Sequence, residues 1–532
     1  MERRGFVAFS GGGAKGVVHV GALKALEKRQ VTLVGLSGTS AGAIVATLAA
    51  AGFSADDLIH EENGQTIMDQ LAKIDPSLSR AVHLFGPQGW WRISVFRFLL
   101  RQKISPAVLL LGLWLAPALL IGGASTLGGV PATVGIVLWA LLGIALWSSA
   151  RSLIGGLANV TRFRNALGVL IQQKMYPDEV GRIVTMQDFG CEGRPRLKIV
   201  SANISKQRLH LFSAERTPKT PVADAVAASI CLPVIFEPHQ IGEDLHVDGG
   251  IVSNLPAWPF DEERELDPEA LTIAVEIEEK PSSEALNRYN WIPSALRTTL
   301  FGSGELNLRV AGPAEQLALP TRFDLLDFDR TAAEAMQEVR DVAEAAGVRL
   351  DKRLFRLPQI YQDACEVAQA LTLDALNVLP GGSGLAPRIR VAIGRLERGY
   401  VESLRLSHSV GYEDDVDELM LVPLSGSVAG AAWREQQSVV ETHPLAEDRD
   451  LPGPENRLRK KARWAGVAWM MCIPIPDEGA SKPRLLVQID GNMPLTPDAD
   501  TSAALDSVEQ AVKDFFSLVL NELKDLEDDH GA

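Results

Sequence analysis

Residues 31–46 read VTLVGLSGTSAGAIVA, and this stretch constrains the fold more sharply than any other. An apolar run closes at Leu36. Gly38-Thr39-Ser40-Ala41-Gly42 follows, and then a run of small residues with helical composition. The order is strand, tight turn, helix, with a serine at the apex. Side chains flanking so tight a turn clash, and Gly38 and Gly42 remove those clashes. The G-x-S-x-G spacing is that of a nucleophile elbow, which points the Ser40 hydroxyl out of the sheet at the positive end of a helix.

The chain opens in a similar way. Residues 5–9 form a short apolar strand, residues 10–16 a glycine-rich loop, and residues 17–28 a helix with Val17, Val20, Leu23 and Leu26 on one side. Such a loop leaves several backbone N–H groups aimed at one point, where they suit a phosphate or an oxyanion. Gly11-x-Gly13-x-x-Gly16 also matches the dinucleotide spacing, which requires an acidic residue about 20 positions on to hold the ribose. No Asp or Glu stands between Lys28 and Asp56, where the elbow lies instead. Lys15 is followed by Gly16 at a spacing that does not make a P-loop. An oxyanion hole is the better reading.

A serine nucleophile needs a base. Leu245-His246-Val247-Asp248-Gly249-Gly250 offers an aspartate at the end of a short strand, although such a sequence also suits an ordinary turn. A Ser…Asp…His order requires His408, His443 or His530, all in what reads as another domain. His246 points to the opposite side of its strand from Val247.

The length of 532 residues predicts two or three domains, and a 46% hydrophobic share suffices for their cores. A net charge of −15 argues against a nucleic-acid partner. Cys191, Cys231, Cys365 and Cys472 show no metal spacing and read as reduced thiols of a cytosolic compartment. The N-terminus leads straight into a strand, so no signal peptide is expected.

Three of these blocks together resemble the signatures of the patatin-like phospholipases: Gly11-Gly12-Gly13-Ala14-Lys15-Gly16, Gly38-Thr39-Ser40-Ala41-Gly42 and Asp248-Gly249-Gly250. A fourth, Ala228-Ser229-Ile230-Cys231-Leu232-Pro233-Val234-Ile235-Phe236, resembles the family's A-S-x-x-x-P-x-x-F block. The resemblance covers residues 1–350. It implies an α/β fold with a sheet flanked by helices, and a lipid acyl hydrolase that needs no metal or cofactor. It implies a Ser–Asp dyad without histidine: Ser40 as nucleophile, Asp248 as general base, and the N–H groups of Gly11, Gly12 and Gly13 as oxyanion hole. Lys15 is then placed near an anionic headgroup, and Gly16, Gly38, Gly42, Gly249 and Gly250 complete the motifs.

The blocks are interrupted by residues 104–150, which contain no charged residue. Residues 107–127 and 130–150 are each long enough to cross about 30 Å of hydrocarbon as a helix, with a reversal at Gly128-Gly129. Arg92, Arg97, Arg101 and Lys103 precede the run, Arg151, Arg162 and Arg164 follow it, and no Asp or Glu occurs between Asp75 and Asp178. The expectation is a two-helix transmembrane hairpin with catalytic and C-terminal domains in the cytoplasm. A buried hairpin, or a lid dipping into one leaflet, is the alternative.

Residues 353–532 predict a helix, an antiparallel sheet and a last helix with Leu505, Val508, Val512, Phe515, Val519, Leu523 and Leu526 on one face. GSVAGAAWREQQSVVE and MCIPIPD…RLLVQIDG resemble the middle and the final hairpin of a GAF domain. Such an α+β domain implies a small-molecule ligand or a homodimer surface. The combined expectation is a hydrolase of (lyso)phospholipid carboxylic esters at a membrane bilayer, with a C-terminal regulatory module. The other reading is a membrane-tethered sensor or scaffold whose patatin-like domain is catalytically silent.

Overall fold

The computed structural model describes residues 3–60, 63–85, 89–94, 137, 141, 143–144, 156, 158–191, 193–233, 235–267, 270–278, 298–299, 302, 314–377, 388–397, 402–412, 417, 420–441, 466–476 and 482–527. The chain divides into two compact units, Met1–Arg349 and Leu350–Ala532.

The first unit is built on parallel strands. β1 (Arg3–Phe9) leads through the glycine loop to α1 (Val17–Lys28), and β2 (Val31–Gly38) turns at Ser40 into α2 (Ala41–Ala50). After α3 (Thr161–Met175) come β3 (Arg196–Asn203), β4 (Arg208–Phe212), α4 (Val222–Ile230), β5 (His239–Ile241), β6 (Asp244–Asp248), β7 (Leu271–Ile277), β8 (Glu315–Leu319) and α5 (Ala332–Leu350). β1 pairs in parallel with both β2 and β7, β2 with β3, and β7 with β8. Central strands buried on both faces read as continuous apolar runs, and Val7, Ala8, Phe9, Ile273, Ala274 and Val275 are fully buried. β8 (EQLAL) is an edge strand, which explains why its mixed polarity gives no strand signal in the sequence.

The register around β3 brings the two candidate residues together. Ile199 pairs with Gly38 of β2 and also with Phe212 of β4, so β2 and β4 flank opposite edges of β3. Ser201 pairs with His210 of β4 and also with Asp248 of β6, so β6 lies opposite β4 too. β2 and β6 therefore share one edge of β3, end to end. The first stops at Gly38 and the second at Asp248, two positions apart on their common partner.

The second unit carries α6 (Leu357–Asn377) and a six-stranded antiparallel sheet of β9 (Ile389–Glu397), β10 (Ser403–Val410), β11 (Leu421–Pro423), β12 (Val439–Glu441), β13 (Trp469–Pro476) and β14 (Pro483–Gly491). The spatial order is β11-β10-β9-β14-β13-β12. α7 (Val428–Glu435) lies between β11 and β12, and α8 (Ala499–Glu527) closes the unit. α6 and α8 cover one face, against Val391, Ile393, Val487 and Ile489. α7 covers the other, against Ala392, Leu404, Met470 and Leu486. The alternation of neighbouring residues between two cores follows from the period of two along a strand. Arg390 is buried and bonded to Asp417 and Asp490, and the hydroxyl of Tyr412 donates to Asp490 at 3.0 Å.

The expected membrane location is corrected. Among the described residues no helix is long and apolar enough to cross a membrane. The longest, α8, has 29 residues, but acidic and basic side chains recur along it as on an amphipathic helix. The hairpin expected over residues 107–127 and 130–150 lies outside the described residues, apart from positions 137, 141, 143 and 144.

Candidate active site

Ser40 sits at the turn between β2 and α2 with φ 53° and ψ −126°, in the left-handed half of backbone space that a non-glycine residue seldom occupies. The turn is possible because its flanks carry no side chains. A Cβ on Gly38 would fall on the Gly42 carbonyl, and one on Gly42 would fall on the carbonyls of Phe9 and Ser10. Side chains bolt the elbow to the segment after β6. The Thr39 hydroxyl donates to the Ser253 carbonyl at 2.8 Å and the Ser37 hydroxyl to the Pro256 carbonyl at 2.6 Å. The Ser40 N–H donates to the hydroxyl of Ser229 at 3.0 Å.

Asp248 ends β6 and is 1% exposed. Its Oδ1 accepts from the Gly250 N–H at 2.7 Å, while the buried Oδ2 completes no hydrogen bond in this geometry. Burial pushes the carboxyl up to about 6. The Ser40 hydroxyl, facing it, and the Gly250 N–H pull in the other direction. Gly249 passes against the Val200 carbonyl of β3, a close approach that excludes a Cβ.

The glycine loop supplies donors unequally. The Gly11 N–H is taken by the Asn254 carbonyl at 3.0 Å. Gly12 and Gly13 donate to no backbone group among the described residues, and Gly13 has a φ of 56°. The Ala14 N–H bonds the Leu325 carbonyl at 3.0 Å, which holds the loop in place. Lys15 is buried in the turn Gly13–Gly16 and does not line the cleft beside Ser40. Gly16 packs on Ala41, and Gly250 lines the cleft wall.

That cleft encloses about 740 Å³, part of it open to solvent. Ser40, Asp248, Gly12 and Gly13 meet at its polar end. Its walls are apolar and include Ile44, Phe85, Phe163, Phe236, Leu325 and Phe328. Phe85 stacks on Phe236 with centroids 5.1 Å apart and meets Phe328 edge-on at 4.7 Å. Asp248 is the one titratable side chain among the described residues lining the cleft. His246 instead shares its ring Nδ1 with the Ser201 hydroxyl at 2.9 Å, and burial pushes it down to about 4. His408 belongs to the second unit. Among the described residues no group of His, Cys, Asp and Glu is placed to hold a metal ion.

The patatin-like phospholipase family model matches residues 7–261. Those residues form a patatin-like phospholipase domain. At family level this is a hydrolase acting on lipids. The chain is similar to uncharacterized protein YqhO of Bacillus subtilis (strain 168), 25% identical over 298 residues, covering 54% of this chain and 78% of that protein. Among solved structures it is similar to VipD from Legionella pneumophila, with 18% identity, 71% of this chain and 77% of that one covered, and a TM-score of 0.28. A GAF domain of a two-component sensor histidine kinase from Bacillus halodurans is similar over 29% of this chain and 96% of its own, at 16% identity and a TM-score of 0.20.

Two features of the patatin-like domain were missed by sequence reasoning. Asn254 spends its carbonyl on Gly11 and also lines the cleft, and only its place six residues after Asp248 hinted at it. The aromatic wall draws Phe85, Phe236 and Phe328 from three distant segments, so no local pattern marks it.

Proposed function

We propose that the patatin-like domain cleaves carboxylic ester bonds of phospholipids or lysophospholipids through Ser40 and Asp248. Ser40 Oγ attacks the ester carbonyl while Asp248 takes its proton. The N–H groups of Gly12 and Gly13 hold the developing oxyanion, a term that is commonly the largest in acyl transfer. Gly11 shapes the loop, since its own N–H is bonded to Asn254. The ester C–O bond breaks, the departing alcohol takes the proton from Asp248, and an acyl chain remains on Ser40 within the apolar cleft. Water, deprotonated by Asp248, then releases the fatty acid, and the proton returns to Ser40.

The observation that carries this reading is a buried carboxyl raised to about 6, facing a strained serine at the end of an apolar cleft. A base with a pKa near the working pH is the efficient one. The C-terminal unit, whose sequence resembles a GAF domain, is read as regulatory, through a small ligand or a second copy. The test of the reaction is fatty-acid release from phospholipid and lysophospholipid panels. Ser40→Ala and Asp248→Asn should each abolish release, and the double variant should lose no more than either alone, because the pair acts as a unit. Substantial turnover by Ser40→Ala would refute the dyad.

A further inference from the structure

Ser229 lies on α4, fully buried and outside the cleft wall. Its hydroxyl is used in both directions. It accepts from the Ser40 N–H at 3.0 Å and donates to the Val200 carbonyl of β3 at 2.6 Å. The amide it holds belongs to the residue with the strained φ of 53°. The carbonyl it holds belongs to the residue before Ser201, the register partner of Asp248. One oxygen atom thus joins the elbow that carries the nucleophile to β3, the strand on which the base-carrying β6 is paired. On the other flank the elbow is tied by the Thr39 hydroxyl to Ser253. With Ser229 removed, a buried amide and a buried carbonyl both lose their partner, and rotation of the Ser40 peptide relieves both the vacancy and the strain.

We propose that Ser229 is a positioning residue for ester cleavage: its hydroxyl locks the Ser40 peptide onto β3 and so holds Ser40 Oγ against Asp248. This rests on the Ser40–Asp248 reading, whose own failure shows separately as turnover by Ser40→Ala. The experiment uses the full chain with Ser229→Ala and Ser229→Thr. Turnover of a short, dispersed ester is normalised to active sites counted by exhaustive labelling with a fluorophosphonate. A nucleophile displaced by about 1 Å costs on the order of 100-fold in rate, so kcat per labelled site should fall about 10- to 100-fold in Ser229→Ala, with KM within about twofold. The acidic limb of the pH profile should also move upward, because a displaced Ser40 no longer opposes the effect of burial on Asp248. Ser229→Thr, which keeps the hydroxyl, should recover most of the rate. A wild-type kcat per labelled site in Ser229→Ala overturns the proposal, as does a rate loss with an unmoved acidic limb.

Discussion

Replacing Asp248 by asparagine should destroy activity and stabilise the fold, and the second effect should depend on pH. The carboxyl is buried and raised from 3.8 to about 6. A raised carboxyl favours the folded state in acid, and that contribution is lost as pH rises through 6. From the two values, holding the ionised form in the folded protein costs about 3 kcal/mol relative to the unfolded chain at pH 8. Asparagine carries no charge to desolvate, and its side-chain carbonyl still accepts the Gly250 N–H that Oδ1 now takes at 2.7 Å. For the unit Met1–Arg349, an unfolding entropy of about 2.1 cal/mol/K per residue converts 3 kcal/mol to about 4 °C in Tm. Calorimetry of the wild type and Asp248→Asn at several values between pH 4.5 and 8 is the assay. The Tm difference should be about 1.5 °C at pH 4.5, where the cost is about 1 kcal/mol, and open to about 4 °C at pH 8. A difference that is constant over this range would refute the argument, as would a variant less stable than the wild type at pH 8, because the carboxyl would not be the desolvated group described here.

The same carboxyl sets an expectation for rate: kcat/KM on a soluble ester should rise with pH through an apparent pKa near 6. An inflection near 4 would mean that Asp248 is not the base. Phe328 is only partly buried and lines the cleft beside Phe85. Phe328→Ala should therefore leave short esters nearly unaffected while weakening discrimination by chain length, which is worth about 0.8 kcal/mol, or roughly fourfold, per methylene held. Unchanged chain-length selectivity would remove the aromatic wall from the acyl site.

Much of the first unit is legible in the sequence because its signals are local. Glycines at positions 38 and 42 announce a turn that admits no side chain, and the turn occurs there. The apolar run of residues 271–277 is the buried strand β7, and the one-sided pattern of residues 17–28 is α1. The two facing cores of the second unit likewise follow the alternation in β9, β13 and β14. Reading the charge-free run of residues 104–150 as a location was a step further. Hydropathy reports what a segment is made of, and the described residues contain no helix long and apolar enough to cross a membrane.

By itself, then, the sequence determined most of the elements, the elbow and the candidates Ser40 and Asp248, because backbone geometry and side-chain periodicity act over a few residues; the edge strand β8 is an exception. Only the tertiary structure decided how those candidates meet. The meeting depends on β2 and β6 sharing one edge of β3, pairings between residues from 43 to 161 positions apart along the chain. It also decided that the Gly11 N–H goes to Asn254 and that Ser229 holds the Ser40 peptide. A hydrogen bond between groups 189 positions apart leaves no periodic trace, since its partners are chosen by how strands and helices pack and not by what surrounds them in the chain.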